Sequence, residues 1–193
     1  MAGDEARRAH VVSVLREASA AHEAAGACAD EVVAAAALIG WALASGGKVL
    51  VFGNGGSAAD AQHFVAELVG RYEAGRARRA LPALALSSDP SVVTALGNDL
   101  GFTQVFARQV EAHGRPGDVA LGLTTSGTSA NVLAGLETAR RLGLGTIVFT
   151  GRAAGLDMPA DVHVAVPADR TPRVQEVHGT LLHALCELVE EGM

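Results

Sequence analysis

The sequence predicts an α/β fold: a five-stranded, parallel, doubly wound sheet preceded by two helices. Three observations carry that prediction. Five short runs, at 48–52, 83–86, 119–123, 146–149 and 162–166, are continuously apolar rather than alternating, as strands covered on both faces must be. Helical patterns separate most of them, and strand–helix alternation builds a parallel sheet. The 193 residues suffice for one large core and fall short of two.

Taken in order, residues 4–25 read as a mostly polar helix with Val11, Val12, Val14, Leu15 and Ala18 on its apolar face. Residues 29–44 read as a second, more buried helix. Its thirteen-residue apolar run, 32–44, is too short to span a bilayer. Gly46 and Gly47 end this helical extension, 1–45, and the α/β part, 46–193, completes a single domain. Helices are expected at 57–72 after the first strand, at 89–97 and 102–113 after the second, and at 129–142 after the third. A closing helix is expected at 172–191. The layout is flavodoxin-like, and such sheets bind ligands at the carboxyl ends of their strands. Chemistry is therefore sought in the loops after Phe52, Leu86, Leu123, Phe149 and Val166.

Composition narrows the function. With 49% apolar residues, disorder is excluded. The balance of 15 basic against 21 acidic residues, with one short basic run at 76–79, argues against a nucleic-acid face. The first residues lack the apolar core of a signal peptide, so a cytoplasmic protein with no membrane partner is expected. Cys28 and Cys186 are then expected to be buried thiols rather than a disulfide. Aromatics make up only 4%. An alanine-rich core buries little area per residue, which points to partner subunits.

Two loops look built to hold an anion. Gly53-Asn-Gly-Gly-Ser57 joins a strand to a helix, with Ser57 as expected cap and Asp60 completing a capping-box-like pattern. A dinucleotide fingerprint is excluded because no acidic residue follows at the required distance, and no Gly-Lys-Ser/Thr makes a P-loop. Thr124-Thr-Ser-Gly-Thr-Ser129 is the second, a dense array of neutral donors suited to a phosphate monoester. His63 and Glu67 share a helix face at i, i+4. Read alone, that pair is a surface ion pair. The last helix carries Gln175, Glu176, His178 and His183. Read alone, each histidine there is an ordinary helix histidine. Eight residues, about 12 Å of rise, separate Gln175 from His183. One straight helix does not easily bring both to one ion unless an end is bent or neighbouring subunits contribute, so shared sites at subunit interfaces are expected.

The segments 51–72, Gly97-Asn-Asp-Leu-Gly-Phe102, Thr125-Ser-Gly-Thr-Ser-Ala-Asn131 and Arg173-Val-Gln-Glu-Val-His178 resemble the phosphoheptose isomerase family, across almost the whole chain. The resemblance implies the sugar-isomerase (SIS) fold and a homotetramer with N-terminal helices at the subunit interfaces and active sites between subunits. It implies a substrate site at Asn54, Gly55, Gly56, Ser57, Glu67 and Gln175, sugar contacts from Asn98 and Asp99, and a phosphate grip from Thr124, Thr125, Ser126 and Ser129. It implies one zinc ion per subunit on His63, Glu67, Gln175 and His183, with Glu67 and His183 as acid–base pair. The implied reaction converts sedoheptulose 7-phosphate to D-glycero-D-manno-heptose 7-phosphate through an enediol. Thr128 stands where the family usually has an amide, which is expected to alter sugar contacts. A carboxylate bound to zinc is a weaker base, so Glu67 either leaves the ion in turnover or the zinc is partly structural. Two alternatives stand beside this reading: isomerisation of another sugar phosphate, and a non-catalytic SIS regulator that binds a sugar phosphate or a replication initiator. The initiator-binding relative lacks the groups matching Glu67 and His183.

Overall fold

A computed structural model describes residues 2–73, 75, 78–152, 154–155 and 157–192, so Arg76 of the basic run lies outside the described residues. The five strands are β1 (Val49–Gly53), β2 (Ala83–Ala85), β3 (Val119–Leu123), β4 (Gly145–Gly151) and β5 (Val162–Val166). They pair in the order β2-β1-β3-β4-β5, all parallel. The helices are α1 (Ala2–Ala24), α2 (Ala29–Ala44), α3 (Gly56–Val69), α4 (Pro90–Asp99), α5 (Val105–His113), α6 (Ala130–Arg141) and α7 (Thr171–Glu191).

Continuous apolarity has the expected cause. In β1 successive side chains face opposite ways. Val49 and Val51 join the core beneath α2, α3 and α7, with Ile39, Phe64, Leu121, Phe149 and Leu185. Leu50 and Phe52 join the core beneath α5 and α6, with Phe106, Val132 and Leu136. Phe52 and Phe106 stack there at 5.2 Å. The expected 102–113 helix is split into a short 3-10 turn, Phe102–Gln104, and α5. The expected 57–72 helix stops at Val69, where Gly70 donates its N–H back to the Ala66 carbonyl.

Arg78 of the basic run is turned inward. Its guanidinium caps α3 by donating to the Glu67 and Leu68 carbonyls, at 2.6 and 2.9 Å, and pairs with Glu190 of α7 at 2.5 Å. What composition counts as a basic residue is a clamp between two helix ends.

By length and composition alone the helical stretch Gly3–Ala44 could cross a membrane. Here α1 and α2 are separated by a 3-10 turn at Ala25–Cys28, and α2 buries Val32, Ala35, Ile39 and Leu43 in the core. Cys28 and Cys186 are free and buried, and burial pushes both thiols up, Cys186 to about 12.

Candidate active site

The loop after β1 turns on Gly55, whose φ of 55° suits glycine. That turn starts α3 at Gly56, one residue earlier than expected. The Ser57 cap and its capping box are therefore corrected: Gly55 is the N-cap, no side chain caps, and buried Ser57 lies inside the first turn. Ala58 and Ala59 both donate to the Gly55 carbonyl. Gly56 and Ser57 precede these first donors, and N–H groups at that place in a helix have no intrahelical acceptor, as an anion site requires.

The loop after β3 lies beside it, because β1 and β3 are neighbours with Gly53 opposite Leu123. Thr124 is buried, and its hydroxyl meets that of Ser129 at 2.9 Å. Ser129 occupies the N-cap of α6 but turns its side chain to Thr124 rather than to the helix. Ser126 Oγ accepts from Thr128 N–H at 3.2 Å and from Thr128 Oγ1 at 3.0 Å. In this chain the Thr128 hydroxyl is thus spent on the loop itself. Thr125 accepts the Gly151 N–H through its carbonyl. A reciprocal amide pair bridges the two loops: Asn54 Nδ2 donates to Asn131 Oδ1 and Asn131 Nδ2 to Asn54 Oδ1, each at 2.8 Å.

Helices α3 and α7 lie side by side and run the same way. Gln175 sits at the level of Gly56, so close that a Cβ there would lie 2.8 Å from the Gln175 amide carbon. Two turns further on, the His63 and His183 rings meet edge-on with centroids 5.0 Å apart. His63 Nε2 hydrogen-bonds Glu67 Oε1 at 3.2 Å, and the Tyr72 ring lies 5.5 Å from His183. Asp60, His63, Phe64, Leu182 and His183 line a small pocket between the two helices. Burial raises the Asp60 carboxyl above its ordinary range, with His63 pulling it back, and Asp60 Oδ2 has no hydrogen-bond partner.

The structure therefore brings together three of the four expected metal ligands, His63, Glu67 and His183, and leaves Gln175 at the first loop. Seven residues of α3 separate the two stations, about 10 Å of rise. Among the described residues, no group of three or more His, Cys, Asp or Glu side chains is arranged to hold a metal ion. The donor chemistry suits zinc, but within one chain it is not closed into a site. Asn98 and Asp99 end α4, a helix without a buried residue, and Asn98 Nδ2 donates to Asp99 Oδ1 at 2.7 Å rather than to either loop. His178 is turned into the core, where Nε2 meets the Thr150 carbonyl at 3.2 Å and burial lowers its pKa to about 4.

Sequence reasoning placed Asp60 only in a capping pattern and gave no role to Tyr72 or Asn131. Asp60 was legible as i, i+3 to His63. Asn131 carried no local signal, since its partner lies 77 residues away.

Residues 15–151 match the SIS domain family. The phosphoheptose isomerase of Aquifex aeolicus is 57% identical over 164 residues, covering 84% of this chain and 85% of that protein. The chain belongs to the phosphoheptose isomerase family. Solved phosphoheptose isomerases agree. The one from Neisseria gonorrhoeae superposes with a TM-score of 0.88 at 41% identity, covering 95% of this chain and 98% of the other. The one from Francisella tularensis gives 0.89 at 36%, covering 96% and 98%.

Proposed function

We propose that this phosphoheptose isomerase family member converts D-sedoheptulose 7-phosphate to D-glycero-D-manno-heptose 7-phosphate in the cytoplasm. The observation that carries the reading is the cluster of Glu67, His63 and His183, set two turns from a pair of donor-rich loops. A seven-carbon ketose phosphate has the same polarity, with its phosphate at one end and its reacting carbons at the other. Gly56 and Ser57 N–H groups and the hydroxyls of Thr124, Thr125, Ser126 and Ser129 receive the phosphate. Neutral donors hold it reversibly, which turnover requires. Asn54, Asn98, Asp99 and Gln175 orient the sugar hydroxyls.

Glu67 takes the C1 proton of the ketose and returns it to C2. His183 moves the proton between O1 and O2. His63, hydrogen-bonded to Glu67 and packed on His183, holds the two in register. Zinc, when held by His63, Glu67, Gln175 and His183 contributed by more than one subunit, would supply Lewis-acid polarisation of the carbonyl.

The separation of Gln175 from His183 supports a site completed between subunits of a homotetramer. So do Val11, Val12 and Leu15 of α1 and Val33 and Trp41 of α2, all exposed large apolar side chains. A stable, active monomer in solution would refute that assembly.

The test is an isomerase assay on sedoheptulose 7-phosphate. Glu67→Gln and His183→Ala are each expected to lose about 10²–10⁴-fold in kcat, the usual worth of a general acid or base. Full activity in either variant removes that residue from the acid–base role. Metal analysis of the purified protein, with His63→Ala as control, addresses zinc separately. Activity that survives chelation without stoichiometric metal sinks that part. A panel of C5 to C7 ketose phosphates fixes the substrate length.

A further inference from the structure

The Asn54–Asn131 pair joins two segments that the chain keeps 77 residues apart. Asn54 is half-buried in the loop after β1, while Asn131 is 4% exposed in the first turn of α6. Each amide gives one N–H and accepts one, both at 2.8 Å. Rotating either amide by half a turn would set oxygen on oxygen and nitrogen on nitrogen. The pair therefore couples the two amides, so that neither can turn over unless the other turns with it, and it holds Asn54 against the start of α6.

Helix α6 does not need this bond in order to form. Val132 and Leu133 already donate to the Ser129 carbonyl, and Val132, Leu136 and Ala139 anchor the helix in the core. A buried amide is a costly way to fill space, because it must stay satisfied. Its partner, however, is Asn54, to which the proposed function assigns sugar hydroxyls, and its own helix begins at the loop whose hydroxyls are assigned the phosphate.

We propose that Asn131 is a positioning residue: it acts through Asn54, holding that amide in place and tying the loop after β1 to the loop after β3. The inference rests on the isomerase reading above and deepens it. It separates Asn131 from the groups that touch substrate, since its side chain is consumed by Asn54 and by burial.

A double-mutant cycle tests it, with isomerase kinetics on sedoheptulose 7-phosphate and thermal unfolding measured for wild type, Asn54→Ala, Asn131→Ala and the double variant. Asn131→Ala is expected to lower kcat/KM about tenfold, the cost of one misplaced buried hydrogen bond. In the Asn54→Ala background the same change is expected to cost no further activity. Asn131→Leu, which keeps volume and removes both bonds, stands in if the alanine variant does not fold. Equal losses in both backgrounds, or a fall in melting temperature with kcat and KM unchanged, overturn the inference and leave the isomerase reading intact. A wild type with no isomerase activity overturns the reading, and this inference with it.

Discussion

The two edges of the sheet are built from different chemistry. At the amino edge the polar groups are charged, paired and closed. Asp118, almost wholly buried, accepts from Lys48 N–H and from Arg115 N–H at 2.9 Å each and holds the Lys48 ammonium at 2.5 Å. Asp161 does the same for β4, accepting from Thr146 N–H at 2.8 Å and Thr146 Oγ1 at 2.9 Å. In the loops after β1 and β3, at the carboxyl edge, the side chains are neutral and bonded mainly to one another. Thr124 meets Ser129, Thr128 meets Ser126, and Asn54 meets Asn131. Carboxylates serve the edge that must hold strands in place. Hydroxyls, amides and helix N–H groups line the two loops to which the proposed function assigns the anion.

That contrast can be broken by exchange of roles. The largest effect is expected at the amino edge, where Asp118→Ala leaves two backbone N–H groups and a lysine without their acceptor. Unfolding in urea should show about 3 kcal/mol of lost stability. Activity per folded molecule should be unchanged, and a selective loss of kcat would place function at this edge.

Next comes pH. His178, beneath the carboxyl edge, is held neutral to about pH 4 by burial. Its folded pKa lies below the unfolded value, so its contribution is complete above about pH 6.5 and is lost as pH falls toward 4. Stability measured across that window should drop by up to about 3 kcal/mol, and His178→Gln should flatten the drop. A wild-type curve that is already flat contradicts this assignment.

The smallest effect concerns the carboxyl edge itself. Thr124→Val keeps shape and removes one hydroxyl, and KM for the sugar phosphate should rise about tenfold with little change in melting temperature. An unchanged KM would show that the Thr124–Ser129 pair is structural, as its counterparts at the other edge are.

Most of the architecture was legible because it is written in local pattern. Strands buried on both faces read as unbroken apolar runs, and all five fall where those runs are. The separation of Gln175 from His183 was legible too, since eight residues of straight helix set them about 12 Å apart. The misses have a common cause. Ser57 is no cap because Gly55 turns the chain one residue early, and a φ of 55° leaves no mark beyond the glycine itself. Arg78 reads as surface charge until Glu190, 112 residues on, arrives to pair with it. Asn131 pairs only once β1 and β3 are neighbours. Asn98 and Asp99 end a helix that only half-buries Val93 and Leu96 and has no fully buried residue, so neither pattern nor packing here explains them.

The strand order β2-β1-β3 has a last consequence. From β1 the chain leaves through α3 over one face, and from β3 through α6 over the other. The gap between the two departing connections is a topological switch point, opened by the path of the backbone rather than by any side chain. Its lining can be replaced residue by residue while the crevice persists. Evolution could therefore re-line this groove for a shorter or longer sugar without rebuilding the protein around it.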